Sequence, residues 1–259
     1  MSTRDNTPPD KALRQRLLTV YGRKPVVESL RNPDLDCQTL HLADSNRDSD
    51  IIGEIDALAR ERGLPVRRHS RRELARISRN TRQDQGVALD ILCPAFRPLV
   101  DFLEGAGETA TYRLLAVDGI TNPQNLGMVI RSATAGAVDG LVLARRGNAA
   151  LGPLVIKASA GAVFRAPILT CDELPGALDR CRAHGAEICI LDGTARQSLF
   201  AHREAARSVY VLGNESEGVS EAAAQWADRR LSIPMRAGVE SLNVAVAASL
   251  IAYAPYFER

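Results

Sequence analysis

The segment VYVLGNESEGVS, residues 209–220, decides the fold of this chain together with the segment RLSIPM, residues 230–235. VYVL and RLSI are short apolar runs with β-branched residues, and each is closed by a residue that breaks regular structure, Gly213 or Pro234. Runs of this length and composition are typical of strands inside a sheet. We therefore predict two buried strands here.

Polar, turn-prone residues follow both predicted strands. Gly213, Asn214, Glu215 and Gly218 come after the first strand, and residues 235–243 come after the second. Ligands of open α/β sheets bind outside the carboxyl ends of the strands, so these residues predict a binding crevice. The alternative is that they form ordinary turns, since Gly-Asn and Ser-x-Asn sequences favour turns without any function.

The rest of the second half of the chain predicts an α/β fold. The near-continuous apolar run YRLLAVD, residues 112–118, is typical of a parallel strand buried on both faces. Further strands alternate with helices, and a last helix rich in small residues is predicted from Leu242 to Tyr253, beginning at Ser241 or Asn243. This alternation predicts a parallel sheet with helices on both faces for residues 111–259.

The first part of the chain predicts a second, smaller α/β domain. Residues 19–93 follow a β-α-β-α-β pattern and can fold on their own. Residues 1–18 are polar and carry two adjacent prolines, so we expect a poorly ordered tail. The prolines and glycines of residues 94–110 indicate a linker between the two domains.

Three blocks in the second half carry a specific resemblance. They are NPQNLGMVIR (residues 122–131), LGNESEGVS (residues 212–220) and IPMRAGVESLNVAVAASL (residues 233–250). In this order they resemble the three motifs of the SpoU, or TrmH-like, branch of the SPOUT RNA methyltransferases. The layout is most similar to that of the RlmB-like enzymes, which methylate a guanosine ribose in 23S ribosomal RNA.

The resemblance implies a fold and an activity. Family enzymes move a methyl group from S-adenosyl-L-methionine to a ribose 2′-hydroxyl, work as homodimers, and thread the C-terminal segment through a loop to form a trefoil knot, a rare exception to unknotted folds. Residues 19–93 look like the L30e-like substrate-binding domain that precedes many SpoU domains, with Tyr21-Gly22 at its start and Gln85-Gly86-Val87 at its end.

The resemblance also assigns the site residues. The cofactor-binding residues, which act mostly through their backbone, are Leu212, Gly213, Ile233, Met235 and Leu242, and the catalytic candidates are Asn125, Arg131, Glu215, Ser241 and Asn243.

Each catalytic candidate also has a purely structural interpretation. Arg131 is a poor base because of its high pKa, so we expect its charge to stabilise an alkoxide and bind a phosphate, while the alternative is a surface ion pair. Asn125 is suited to orient a ribose or an arginine, or to cap a helix. Glu215 is suited to anchor Arg131 or a residue of the partner subunit. Ser241 and Asn243 flank Leu242 at the start of the last helix; we expect at least one of them to reach the substrate or the cofactor, and the alternative is a helix cap.

Charge is concentrated in the smaller domain. The net charge of the chain is only +2, but nine arginines and two glutamates lie between Arg60 and Arg82. Guanidinium groups bind phosphate oxygens in pairs, so this density favours RNA. We assign RNA contact to Arg67, Arg68, Arg71 and Arg72; the alternative is a solvated helix face.

Composition limits the remaining possibilities. The five cysteines form no C-x-x-C pair and the four histidines show no metal-ligand spacing, so we expect reduced cysteines and no metal. No leader and no apolar run long enough for a bilayer are recognised, which predicts a soluble cytoplasmic protein. We expect RNA as the partner, ribosomal RNA rather than transfer RNA, and neither DNA nor a membrane. The alternatives are a transfer-RNA enzyme and a non-catalytic knotted RNA-binding protein.

Overall fold

The computed structural model describes residues 11–47, 49–107 and 109–257. The chain divides into two compact units, residues 1–94 and 95–259. No helix in these described ranges has the length and apolar character needed to cross a membrane.

The first unit is a four-stranded sheet with helices. Its elements are α1 (Lys11–Gln15), β1 (Leu17–Tyr21), α2 (Arg23–Arg31), β2 (Asp36–Ala43), α3 (Asp50–Glu61), β3 (Val66–His69), α4 (Arg71–Ser78) and β4 (Val87–Leu92). The strand order is β1-β4-β2-β3, in which only β2 and β3 are parallel to each other. The buried faces of α2 and α3 supply apolar side chains to its core, including Val26, Leu30 and Ile55.

The disordered tail predicted for residues 1–18 is wrong from residue 11 onward. Residues 11–15 are helical, and Leu17–Tyr21 is a strand in full antiparallel register with β4, from Leu17 opposite Leu92 to Tyr21 opposite Ala88. The unit therefore has one strand more than the β-α-β-α-β pattern. Residues 1–10 lie outside the described residues.

The second unit contains the larger sheet. Its strands are β5 (Arg97–Pro98), β6 (Tyr112–Val117), β7 (Gly140–Ala144), β8 (Ile168–Cys171), β9 (Glu187–Leu191), β10 (Gln197–Ser198), β11 (Arg207–Leu212) and β12 (Arg229–Ser232). Its helices are α5 (Leu99–Gly105), α6 (Pro123–Ala135), α7 (Pro153–Ala158), α8 (Leu174–Ala183), α9 (Glu221–Ala224) and α10 (Val244–Tyr253).

The predicted parallel sheet is confirmed. The strand order is β10-β12-β9-β11-β6-β7-β8-β5, and every neighbouring pair is parallel. All residues of β6 and β7 are buried, as expected for central strands covered by helices on both faces. The prediction of a buried strand at RLSI holds only in part, because β12 lies next to the edge and only Leu231 is fully buried.

The predicted linker, residues 94–110, is also wrong in part. Leu99, Phe102 and Leu103 of α5 are buried in the main apolar core of the second unit. Residues 97–98 pair with β8, a strand that the sequence patterns did not identify. Most of this segment is therefore an element of the larger fold.

Helix α6 is held in place by close contacts on two sides. The Ser132 hydroxyl lies 2.8 Å from the Ser249 hydroxyl of α10. A Cβ atom placed on Gly136 would lie 2.7 Å from the Cβ of Ala252, and one placed on Gly127 would lie 2.5 Å from the Cβ of Ala158 in α7. These contacts leave little freedom for the polar side chains that α6 carries.

Candidate active site

The candidate site lies where β6 and β11 end side by side. The two strands are parallel, and Val117 pairs with Leu212 at their carboxyl ends. From β6 the chain proceeds through β7 and β8 on one side, whereas β9, β11 and β12 lie on the other side. The direction of winding thus reverses at β6 and β11, and such a switch point is where open α/β sheets form ligand crevices.

The loops after these two strands are bonded to each other. The Asp118 N–H donates to the Leu212 carbonyl (2.8 Å), and the Asp118 carboxylate accepts from the Ser220 N–H (2.7 Å). The Asn214 amide donates to the Gly119 carbonyl (3.0 Å). The two strand ends therefore form one rigid rim rather than two independent turns.

Gly213 allows the second loop to fold back on itself. Asn214 and Gly218 exchange two backbone hydrogen bonds, of 2.9 and 2.8 Å. A Cβ atom on Gly213 would lie 2.0 Å from the Gly218 carbonyl carbon and 2.1 Å from the Val219 nitrogen. Only glycine fits this backbone crossing, which fixes Glu215 at the tip of the loop.

Three of the predicted catalytic residues meet at this rim. The Asn125 side-chain amide donates to Glu215 Oε1 (2.7 Å), and the Asn243 side-chain amide donates to the same oxygen (2.6 Å). The Asn243 amide also lies 3.2 Å from Asn125 Oδ1. One carboxylate oxygen is thus shared by amides from the starts of α6 and α10, and we call these three residues the Asn-Glu-Asn cluster.

Helix capping separates the roles of the asparagines. Asn122, not Asn125, caps α6, because its side chain accepts from the backbone N–H groups of Gln124 and Asn125. The capping interpretation of Asn125 is therefore wrong. Asn243 does cap α10, accepting from the Ala245 N–H (2.9 Å), and it uses its amide nitrogen for the cluster at the same time.

Arg131 does not join the Asn-Glu-Asn cluster. It lies on the exposed face of α6 with Gln124 and Met128, whereas Asn125 lies on the buried face. Six residues of helix separate Asn125 from Arg131 by about 9 Å along the axis. The expectation that Glu215 anchors Arg131 is wrong within one chain, because Glu215 accepts from the two asparagines instead.

The predicted cofactor residues lie at the end of β11 and in the segment between β12 and α10. Leu212 is buried at the end of β11, and Gly213 follows it. Ile233, Met235 and Leu242 are partly exposed, in the segment between β12 and α10. None of the five predicted cofactor residues has a charged side chain.

The segment between β12 and α10 passes close to a third strand end. A Cβ atom on Gly193, just after β9, would lie 3.5 Å from the Glu240 carbonyl. Within that segment Ala237 and Gly238 have positive φ angles, 57° and 74°, which turn the chain sharply. The exposed Ser241 follows this turn. Its predicted role stays a prediction.

The predicted RNA-binding arginines lie in the first unit. Arg67 and Arg68 are on β3, and Arg71 and Arg72 begin α4; Arg67 is partly buried and the other three are exposed. Among the described residues, none of the four takes part in an ion pair. Their charges are therefore available to solvent or to a polyanion.

Residues that the sequence patterns missed hold the site in shape. Asn148 accepts from the Ile120 N–H (2.9 Å) and so fixes the loop after β6. Asp118 and Asn122 act on the same loop. An asparagine directly before a proline that opens a helical run was the available signal for Asn122, whereas the contacts of Asn148 have no local signal.

The chain belongs to a class of two-domain α/β proteins that includes known RNA methyltransferases. Three features define this class: a parallel sheet whose strand order reverses, loops that meet at the carboxyl edge of the sheet, and a small α/β unit that precedes it in the chain. Residues 112–253 match the SpoU rRNA methylase family, and residues 19–92 match the RNA 2′-O ribose methyltransferase substrate-binding family. The chain belongs to the SpoU rRNA methylase family, and it is accordingly a SpoU-family RNA methyltransferase.

Individual relatives agree with this assignment. The chain is 31% identical over 233 residues to an uncharacterized tRNA/rRNA methyltransferase of Mycolicibacterium gilvum, covering 90% of this chain and 74% of that protein. The SpoU methyltransferase AviRb from Streptomyces viridochromogenes in complex with AdoMet has a similar fold (TM-score 0.60, 22% identity, 93% of this chain and 90% of that chain).

An AdoMet-bound rRNA methyltransferase from Sinorhizobium meliloti is similar as well (TM-score 0.63, 21% identity, 95% of this chain and 90% of that chain). The prediction of S-adenosyl-L-methionine as cofactor agrees with membership of this family.

Proposed function

We propose that this protein transfers a methyl group from S-adenosyl-L-methionine to a ribose 2′-hydroxyl of RNA, in ribosomal RNA rather than transfer RNA. The observation that carries the proposal is the Asn-Glu-Asn cluster, in which Asn125 and Asn243 donate to one oxygen of Glu215 at the carboxyl ends of β6 and β11. All three motif blocks contribute a residue to this cluster, and it lies at the edge of the second unit's sheet where the strand order reverses.

The residues around the rim fit the cofactor. Gly213 has no space for a side chain, because a Cβ atom would meet the backbone of Gly218 and Val219. Leu212, Ile233, Met235 and Leu242 supply apolar surface and carbonyl and N–H groups. Bound there, S-adenosyl-L-methionine supplies an electrophilic methyl group. The predicted cofactor residues carry no charged side chain, so in our proposal the sulfonium group is bound without a carboxylate.

The protein's own contribution is positioning and charge. Attack on a methyl group requires the oxygen, carbon and sulfur atoms to be in line, and holding them so is worth roughly 7 to 11 kcal/mol in favourable cases. Asn125 is oriented by Glu215, and its carbonyl oxygen lies beside the Asn243 amide. In our proposal the Arg131 guanidinium stabilises the developing alkoxide, and a phosphate oxygen or water takes the hydroxyl proton.

The proposal includes a homodimer, in which Arg131 meets the cluster of the partner subunit. Its support is the surface around Arg131. Met128 of α6 is 40% exposed, and Val246 of α10 is 47% exposed. Apolar side chains on two adjacent helices next to an exposed arginine suit a contact with a second copy. The C-terminal trefoil knot, implied by the family, is part of the same proposal.

We further propose that the first unit binds the RNA through Arg67, Arg68, Arg71 and Arg72. Support comes from the match of residues 19–92 to the substrate-binding family and from the absence of ion pairs at these four residues within the described ranges. Action in the cytoplasm is consistent with all five cysteines being free. A transfer-RNA substrate is the second candidate, since the name of the Mycolicibacterium gilvum relative includes both transfer RNA and ribosomal RNA.

The test is methyl transfer in vitro. The full chain is incubated with S-adenosyl-L-methionine labelled in the methyl group and, separately, with ribosomal RNA and transfer RNA from a strain that lacks its gene. Labelled ribose in ribosomal RNA, mapped by nuclease digestion and mass spectrometry, is the expected result. Labelled ribose only in transfer RNA selects the second candidate. Base methylation, or RNA binding without any transfer, contradicts the proposal.

A further inference from the structure

Three metal-ligating side chains meet in the second unit away from the candidate active site. Glu187 and Cys189 lie two residues apart on β9, on the same face of the strand, and His202 follows a turn of 3₁₀-helix. His202 Nε2 lies 3.3 Å from Glu187 Oε2 and 3.7 Å from Cys189 Sγ, and Cys189 Sγ lies 3.8 Å from the same carboxylate oxygen. We call this the Cys-His-Glu cluster.

These distances match the edges of a metal coordination polyhedron. With zinc bond lengths of about 2.3 Å to sulfur and about 2.0 to 2.1 Å to nitrogen and oxygen, a tetrahedron has edges of about 3.3 Å (N to O) and about 3.6 Å (S to N or O). The three observed separations follow this order and are close to these values. The two sulfur contacts are also within hydrogen-bonding range for a thiol, so the metal titration below distinguishes a metal site from a hydrogen-bonded triad.

Burial and charge favour a cation here. Cys189 is fully buried and the His202 side chain is 4% exposed. A divalent cation with one thiolate and one carboxylate makes a neutral centre, which a buried site tolerates. The mixed sulfur, nitrogen and oxygen donors select zinc over magnesium or calcium.

Two neighbours are suited to support the ligands. Gln197 Nε2 lies 3.4 Å from His202 Nδ1. With the amide group turned over, its oxygen would accept the Nδ1–H and leave Nε2 of His202 free to bind a metal. The Arg229 Nε donates to Glu187 Oε1 (2.8 Å), the carboxylate oxygen that does not face the cluster. Gln197 and Arg229 are thus placed to orient the side chains of His202 and Glu187.

The cluster is distinct from the Asn-Glu-Asn cluster. Glu187 pairs with Ser208 at the start of β11, whereas the candidate active site begins at Leu212, four residues or about 13 Å further along that strand. His202 also lines an open cavity of about 690 Å³ with Phe200 and Arg203, which gives an ion a route from solvent.

We propose that Cys189, His202 and Glu187 bind one Zn²⁺ ion, with water in the fourth position, and that the ion fastens residues 192–206 to β9. Binding replaces the thiol proton, which passes to solvent. The segment 192–206 joins β9 to β11, so the ion stabilises the register of the strand that carries the active-site loop. The site is structural and is separate from methyl transfer.

Cobalt(II) and zinc are the probes for the test. The full chain is stripped with a chelator, dialysed, and titrated with Co²⁺ alone and then with Zn²⁺ alone. We expect one equivalent of Co²⁺ to give a thiolate-to-cobalt charge-transfer band, and one equivalent of Zn²⁺ to abolish it and to raise the melting temperature. Absence of the band and of the shift in the wild-type chain overturns the proposal.

Variants locate the site. Cys189→Ser should lose the band, and His202→Gln and Glu187→Gln should each weaken zinc binding by more than about 100-fold, beyond the loss typical of a residue behind the ligands. Cys171→Ser and His184→Gln, outside the cluster, should bind as wild type does. Circular dichroism shows whether each variant is folded. If one of the three cluster variants does not fold, the other two still test the site. A band that survives Cys189→Ser, or that is lost in Cys171→Ser, contradicts the assignment.

Discussion

The Asn125 side-chain amide donates a 2.7 Å hydrogen bond to Glu215, although 90 residues separate the two along the chain. Asn125 is buried within the first turn of α6, and Glu215 stands at the tip of the loop after β11. Because the carboxylate carries a charge, this bond and that from Asn243 are stronger than bonds between neutral groups. They connect the starts of two helices with the end of a central strand.

Removing the charge of Glu215 should slow methyl transfer without unfolding the protein. In Glu215→Gln the side chain keeps its shape but loses the charge that holds Asn125 and Asn243, so we expect turnover to fall by about 10- to 100-fold. Glu217→Gln, an exposed change in the same loop, is the matched control and should act as wild type. Equal turnover in the two variants would contradict a role for Glu215.

Arg131→Ala should abolish transfer and leave cofactor binding intact. The side chain is exposed and is not part of the Asn-Glu-Asn cluster of its own chain, and the role proposed for it concerns the RNA and the alkoxide. We expect turnover to fall by at least about 100-fold while calorimetric affinity for S-adenosyl-L-methionine changes only a few fold. Arg180→Ala, an exposed arginine on α8, is the control. Retained turnover in Arg131→Ala removes the role.

Gly213→Ala should destabilise the second unit. The added methyl group would lie 2.0 Å from the Gly218 carbonyl carbon, far inside van der Waals contact, so the loop must move. We expect the free energy of unfolding in urea to fall by about 1 to 3 kcal/mol. In Gly176→Ala the new atom meets nothing within 4 Å, and this control should be neutral or gain about 0.4 to 1 kcal/mol. A neutral Gly213→Ala would show that the backbone crossing is not required.

Single charge reversals should change how RNA affinity depends on salt. The slope of log affinity against log salt concentration is negative, and each phosphate contact that is lost makes it less steep by about 0.7 to 0.9. We expect Arg67→Glu, Arg68→Glu, Arg71→Glu and Arg72→Glu each to do so, measured by filter binding between low and moderate salt. Arg180→Glu in the second unit should leave the slope unchanged. If the slopes of all five variants equal that of the wild type, the arginines of β3 and α4 form only a solvated face and do not bind RNA.

Acid should weaken the first unit through His69. Burial first, and then the neighbouring His41 at 2.9 Å, lower the pKa of His69 below its usual 6.5. The unfolded chain therefore binds this proton more readily, so stability is lost as pH falls from 6.5 towards the lowered pKa. Hydrogen exchange of β2 and β4, corrected for intrinsic rates, should show a smaller acid effect in His69→Gln than in wild type or His184→Gln. The same acid effect in all three would exclude His69 as the cause.

Local patterns in the sequence were sufficient for the central sheet and for the candidate residues. Buried parallel strands must be apolar on both faces, so β6 and β11 are continuous apolar runs that stand out without any knowledge of the fold. The three motif blocks likewise lie in single short segments. For the same reason Asn125, Glu215 and Asn243 were identified before their contacts were known.

Short elements whose stability comes from distant partners were missed. Strand β1 borders its sheet and depends on β4, whose paired residues lie about 70 positions later. Helix α5 has only seven residues, and its buried face is explained by the core of the second unit rather than by its own sequence. Propensity over so few residues is too weak to mark such elements.

Only the tertiary structure decided which polar groups meet. Asn122 and Asn125 are equivalent in sequence terms, but the helix start makes one a cap and turns the other towards Glu215. Likewise, the spacing of Cys189 and His202 resembles no metal motif, and the two come together because the chain returns past β9 before entering β11. Sequence fixes the period and burial of each element, whereas contacts between elements depend on strand order and on loop paths, which no local pattern contains.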